Sequence, residues 1–233
     1  YVTGNAVKNA ASELRKRIEA MLAVKHGLEP SKMIFGEEFI KVDDRKIAWQ
    51  DVYDLLEKSP EGTSVEVRYS APQTYSLEVG GKIHVAYGFA AQAVQIAIDP
   101  ESGEVKVLRV IAASDAGRVI NPLGFQSQVE GGAVMGVGHG IMEEFKLENG
   151  VILSDRIAKY EIPRMKDSPK VESLIVEDPT SEGPYGAKGI GELVCVPTPP
   201  AIANAVSNAI GLRVDSLPVT KEKVKAWLET KSG

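Results

Sequence analysis

The sequence predicts an α+β fold in which mixed sheets are packed with helices, and three observations carry that expectation. Helical apolar stripes stand at both ends of the chain, strand-like runs occupy its middle, and the two never settle into regular strand–helix–strand alternation. The 233 residues, 43% hydrophobic and 25% charged, suffice for a sizeable core. They read as one portion of a larger domain spanning 1–233, with a subdivision near 60–80.

The chain opens on a helix whose apolar stripe is Val7, Ala10, Ala11, Leu14, Ile18, Met21 and Leu22, and His26 and Gly27 close it with the expected glycine stop. Strand-like pieces follow at Met33 to Phe35 and Phe39 to Val42. A short helix from Trp49 to Leu56 ends before the turn at Ser59 to Gly62, and Val65 to Tyr69 alternates like a strand. The polar stretch Ser70 to Gly81 reads as a loop. Next, His84 to Ile98 and Glu104 to Ala112 form a hairpin around the turn residues DPESG.

A helix is then expected over Phe125 to Phe145. Its glycines at 131, 132, 136, 138 and 140 each cost about 1 kcal/mol against alanine in a helix interior. Close packing, against another backbone or a flat cofactor, is the expected compensation. Asp115 and Asn121 flank the entry to this helix as side chains that bond backbone amides. Strands near Val151 to Leu153 and Val171 to Val176 follow. Thr198, as a cap, with Pro199 and Pro200 starts the next helix and Gly211 stops it. A last helix begins at Thr220 and turns Val224, Trp227 and Leu228 inward.

A net charge of -5 offers no basic stripe for nucleic acid or an anionic membrane surface. No apolar run approaches the roughly 18 residues of a membrane span, and no leader opens the chain, so a cytoplasmic protein is expected. The single cysteine, Cys195, excludes an internal disulfide and any iron–sulfur cluster held by this chain alone. It reads as a small buried hydrophobe. His26, His84 and His139 are dispersed, without metal-ligand spacing.

Between the β segments and the last two helices lies GPYGAKGIGE, Gly183 to Glu192, in which four glycines and one proline lead to one carboxylate. So bare a backbone can be approached closely by another object. Glu192, enclosed by peptide groups, would have its proton affinity raised by burial and is a candidate general base. Two phosphate-loop readings fail here. Lys188 is followed by Gly189 where a Walker loop needs a hydroxyl, and the GxG of Gly136 and Gly138 is followed by Ile141 where a dinucleotide fingerprint needs a third glycine.

Five ordered segments, SDAGRVINP (Ser114 to Pro122), QSQVEGGAVMGVG (Gln126 to Gly138), GAKGIGE (Gly186 to Glu192), PAIANAV (Pro200 to Val206) and LPVTKEKV (Leu217 to Val224), resemble the C-terminal part of the molybdopterin-binding subunit of the xanthine dehydrogenase and aldehyde oxidase family of molybdenum hydroxylases. The resemblance covers nearly the whole chain. It implies a molybdenum cofactor (molybdopterin) contacted by Gln128, Lys188, Gly189 and Gly191, and Glu192 as the base in oxidising an N-heteroaromatic (purine, xanthine or nicotinate-like) or aldehyde substrate with water-derived oxygen. Glu130, in the same motif as Gln128, has a structural role as its better reading.

The resemblance also implies a hetero-oligomer, with the remaining molybdopterin-binding chain or domain, an iron–sulfur subunit carrying 2Fe-2S clusters and an FAD subunit as partners. Thr3 to Val7 resembles the end of a cofactor loop, so the chain reads as starting mid-subunit, either cut or naturally split as in nicotinate dehydrogenase. Lys188 has two readings: it offsets cofactor negative charge, or it lies solvated on the loop's outer face. Leu193 and Val194 stand where the family usually has prolines after its glutamate. A second function class is a non-catalytic assembly or cofactor-docking module with the same fold.

Overall fold

A computed structural model describes residues 1–231, which form two compact units, Tyr1–Ile83 and a second from His84 onward. The first unit begins with α1 (Val2–His26), closed by Gly27 in the left-handed conformation, φ 63°. Three short antiparallel strands follow, β1 (Ile34–Phe35), β2 (Phe39–Val42) and β3 (Arg45–Ala48), ordered β1-β2-β3, and then α2 (Trp49–Glu57). Ile18 and Leu22 of α1 pack with Ile40, Val42, Ile47, Val52 and Leu56 to make the core of this unit. The earlier part of the α1 stripe is open, with Val7 63% exposed. Thr3 to Val7 are helical rather than part of a loop.

Two differences from the sequence expectation have local causes. β3 escapes the alternation test because Arg45 and Lys46 are both exposed; it is instead tied to β2 by a two-residue turn in which Asp43 takes φ 51°. Val65 to Tyr69 is not a strand, because among the described residues it has no neighbouring strand to pair with. Upstream of it, the carbonyls of Glu61, Gly62 and Ser64 all accept from the Arg17 guanidinium at 3.0 to 3.2 Å. That contact fastens the exit of α2 to α1.

The second unit is built on β4 (Phe89–Ile98), β5 (Val105–Asp115) and, after the crossover, β8 (Lys170–Val176). β4 pairs antiparallel with β5, and β5 pairs parallel with β8. Residues 84–88, expected at the start of β4, stay outside the ladder. The hairpin register shifts between Gln95 and Ile96, which face Arg109 and Val107, so Leu108 is an extra residue in β5. Across it the buried positions change parity, from Val105 and Val107 to Val110 and Ala112.

The crossover contains α3 (Pro122–Ile141), the small hairpin β6 (Leu147–Glu148) with β7 (Val151–Ile152), and the short α4 (Ile157–Tyr160). The Asn121 side chain accepts from Gly124 N at 2.9 Å and caps α3, with Pro122 in the first turn. α5 (Thr198–Ile210) ends at Gly211, φ 73°, and α6 (Lys221–Lys231) follows Thr220. Val110, Ala112, Phe125, Val129, Ala133, Val137, Ile202 and Val206 are buried together where α3 and α5 cover the sheet. Val224 brings α6 into this core. No helix among the described residues is long and apolar enough to cross a membrane.

Candidate active site

The glycine loop leaves the end of β8 and returns to the end of β5, and backbone hydrogen bonds hold its first half. Arg118 N and Thr180 N both donate to Gly186 O, at 3.0 and 3.1 Å, and Lys188 N donates to Ala116 O at 2.7 Å. A Cβ at Gly183 would lie 1.8 Å from Ala187 O, while Gly186 combines φ 91° with a Cβ position 2.8 Å from Pro179. The chain's own packing therefore requires glycine at both positions. Gly189 and Gly191 differ: a Cβ at either would meet nothing within 4 Å, and neither has a positive φ. Among the described residues nothing accounts for their missing side chains.

Lys188 is neither solvated nor pointed at open space. Its ammonium donates to Asp115 Oδ2 at 2.7 Å and Asp178 Oδ2 at 3.0 Å, and the Lys188 and Asp115 side chains are 6% and 4% exposed. Asp115 Oδ1 in turn accepts from Gly117 N at 2.8 Å and Asp178 N at 3.3 Å. Burial pushes the Asp115 carboxyl up, yet Lys188 and these two amides outweigh it and hold the group below its ordinary value. The Asp115 carboxylate raises the Lys188 ammonium, against the effect of burial. The solvated reading of Lys188 is thus corrected, because the lysine is the buried clamp of the loop. Asp115 does bond backbone amides as expected, and the lysine is its further partner.

Gln128, at the end of the second turn of α3, donates from Nε2 to Gly191 O at 2.6 Å. This joins the helix to the bare end of the loop. Gln128, Gly191, Ile190, Lys188, Gly124 and Asn121 contribute to the lining of an open cleft of about 260 Å³ between loop and helix. The Gln128 carboxamide keeps a second hydrogen and its oxygen for another partner. Glu130 is bonded by Gln126 Nε2 at 2.8 Å on the exposed surface of α3.

Glu192 begins the descent from the loop into a tight turn, residues 191–197, that leads into α5. Its side chain is exposed on this chain, which corrects the expected enclosure.

Beneath that turn the glycines of α3 meet their partners. A Cβ at Gly132 would lie 3.0 Å from Val194, one at Gly136 2.4 Å from Thr198, and one at Gly140 2.8 Å from Ile202. The spacing of four therefore admits the 194–202 segment, so close backbone packing compensates the helix propensity. Thr198 does not cap α5: it sits inside the first turn after Pro197 and makes no side-chain cap bond. Pro200 has no N–H to offer Thr198, and the Ala201 N–H donates to Pro197 O at 3.1 Å. The Thr198 hydroxyl instead donates to Gln92 Oε1 of β4 at 2.5 Å, and Gln92 Nε2 donates to Val194 O at 2.6 Å.

Cys195 is buried, and its Sγ lies 3.4 Å from His139 Nδ1, whose Nε2 is 3.4 Å from Glu143 Oε2. Burial first, then the charges of Glu143 and Glu192, push the thiol up, so it stays protonated. Among the described residues no group of histidine, cysteine, aspartate and glutamate is arranged to hold a metal ion. Of the residues that sequence patterns pointed to, Gln128, Lys188 and Gly191 line the cleft between loop and helix, while Gly189 and Glu192 adjoin it along the loop and are not part of its lining. Gln92 carried no motif and was missed.

Residues 1–169 match the model of a molybdopterin cofactor-binding domain. The chain is 31% identical over 229 residues to a probable xanthine dehydrogenase subunit of Bacillus subtilis (strain 168), covering 97% of this chain and 30% of the relative. It is 33% identical to the aldehyde oxidoreductase molybdenum-binding subunit PaoC of Escherichia coli (strain K12), over 89% of this chain and 27% of the relative. It therefore spans less than a third of these relatives' lengths. Quinoline 2-oxidoreductase from Pseudomonas putida 86 shares the fold, with TM-score 0.80 at 19% identity, over 98% of this chain and 30% of that one.

Proposed function

Because the chain belongs to the molybdopterin cofactor-binding domain family, we propose that it is the C-terminal part of the molybdopterin-binding portion of a molybdenum hydroxylase. In this reading the assembled enzyme oxidises an N-heteroaromatic compound of the purine, xanthine or nicotinate kind, or an aldehyde, with oxygen taken from water. The observation that supports it most directly is the pair of unexplained glycines, Gly189 and Gly191, on the loop that Gln128 holds at Gly191 O and that ends in Glu192. Backbone left bare without an internal reason suits a ligand pressed against it.

These residues fit a pterin. Gln128 has donor and acceptor capacity left for a ring rich in nitrogen and oxygen, and Gly189 and Gly191 let such a ring approach the main chain. Lys188 acts on the ligand indirectly, by holding the loop through Asp115 and Asp178. The bound molybdenum centre supplies the two-electron oxidation of the substrate carbon. Glu192 takes up a proton at its carboxylate as the water-derived oxygen attacks that electron-poor carbon. Its enclosure comes from the rest of the molybdopterin-binding chain or domain, and electrons leave through 2Fe-2S and FAD subunits, since the lone cysteine here cannot hold a cluster.

The test is the assembled enzyme carrying Glu192→Gln or Gly191→Val. Turnover of hypoxanthine, nicotinate or benzaldehyde is expected to fall about a hundredfold to ten-thousandfold in Glu192→Gln, with pterin content unchanged. Gly191→Val is expected to lower pterin content while the chain stays folded. Full turnover in the first variant would remove Glu192 as the base. An assembly that binds pterin but oxidises no substrate, in wild-type form, would favour the docking-module reading instead.

A further inference from the structure

We infer that Gln92 is a positioning residue for Glu192, acting through the backbone of the turn at residues 191–197; the inference rests on the general-base reading of Glu192. Two glutamines from different elements grip this turn on either side of the acid. Gln128 of α3 holds Gly191 O at 2.6 Å, immediately before Glu192, and Gln92 of β4 holds Val194 O at 2.6 Å, two residues after it. Between the two grips the turn has one bond of its own, Cys195 N to Glu192 O at 3.1 Å.

Gln92 fills both halves of its carboxamide. Its nitrogen donates to Val194 O, and its oxygen accepts the Thr198 hydroxyl at 2.5 Å, with Thr198 itself fully buried. This closed set joins strand, turn and helix, and each atom in it has a reason to be there. Pro200 has no N–H and the Ala201 amide already donates to Pro197 O at 3.1 Å, so the Thr198 hydroxyl has no amide to cap. Gly136 makes the room Thr198 occupies, since a Cβ there would come within 2.4 Å of the threonine.

Neighbouring strand residues on the same half-buried face are apolar, Val94 and Ile96. A polar amide among them is a departure that packing alone does not call for, and its two bonds supply the reason. An exposed acid on a turn depends on such anchoring for its direction. A displacement of about 1 Å of a reacting group can lower turnover on the order of a hundredfold.

The experiment uses the assembled enzyme with Gln92→Met, which keeps length and removes both bonds, and with Thr198→Val and Thr198→Ser, which separate the hydroxyl from the side chain's shape. Hydrogen exchange of the Cys195 amide is expected to speed up at least tenfold in Gln92→Met and Thr198→Val and to stay at the wild-type rate in Thr198→Ser. Exchange in the β4–β5 ladder should not change. With hypoxanthine, nicotinate and benzaldehyde as probes, kcat is expected to fall about a hundredfold in Gln92→Met with KM and pterin content held.

Unchanged Cys195 exchange in Gln92→Met and Thr198→Val overturns the inference, as does faster exchange throughout the ladder, which marks general loosening. Wild-type kcat in Gln92→Met with a freed turn also overturns it. Glu192→Gln, measured in parallel, reports separately on the base itself: full turnover there would defeat the base reading while the exchange result still decides whether Gln92 holds the turn.

Discussion

Lys188 shows how far a single side chain can be misjudged from its neighbours in sequence. On a glycine loop beside an expected anionic ligand it invited a ligand-binding role or a solvated one. The residues that claim it, Asp115 and Asp178, are 73 and 10 positions away in the chain. No local pattern announces them, because the ion pair exists only once β5 and β8 lie side by side. Removing one member of a buried pair leaves the other charge uncompensated, so Lys188→Met should cost about 3–5 kcal/mol in chemical denaturation. The pH dependence follows from both shifts. The aspartate is lowered from 3.8, so its contribution is complete above that value and disappears as pH falls through the folded value. The lysine is raised from 10.5, so its contribution is complete below that value and disappears as pH rises through the folded one. Wild-type stability owed to the pair should therefore form a plateau between these limits, and Lys188→Met should lower it throughout.

Among elements, α3 shows what sequence reading can and cannot recover. Its existence was legible from the run after Asn121 and Pro122, but its end was not: the helix stops at Ile141, before the expected Phe145. The glycine stripe announced close packing without naming the partner, since the 194–202 segment that fills it is distant in sequence. Nor are its glycines equivalent. Gly136→Ala forces a methyl to within 2.4 Å of Thr198 and 2.9 Å of Cys195 O, so it should destabilise despite the better helix former. Gly131→Ala meets nothing within 4 Å and should stabilise by roughly 0.5–1 kcal/mol. Thermal unfolding of the two variants gives opposite signs of shift in Tm. β4, β5, α2 and α5 were likewise legible because their patterns are local. β3 was not, since its identity rests on pairing with β2, and Thr198 was misread as a cap because the consequence of the two following prolines lies in the fold.

Taken whole, the molecule is two compact units joined through a stretch that has little regular structure. Residues 71–82 are exposed throughout, and Leu77 is 79% exposed. Brief proteolysis should cut there first, at Tyr75, Leu77 or Lys82, because exposed backbone with few buried contacts yields most readily. Mass spectrometry should then find one fragment ending and another beginning within 71–83, each keeping its circular dichroism. Early cleavage inside α3 or β5 would contradict the division. The candidate site lies wholly on the second unit, and its acid, Glu192, is exposed on this chain. The extra residue in β5 reaches across the same unit. Without Leu108 the pairs Gln95–Arg109 and Ile96–Val107 would follow one another in plain alternation, with Val107 and Val110 still on one face and Asp115 still beside Lys188, so the bulge contributes bend and twist to the strand and not its facing. A one-codon deletion at the bulge is therefore the length change inside β5 that natural variation can tolerate, whereas an added codon beyond it, between Val110 and Asp115, would invert the end of the strand that holds Lys188.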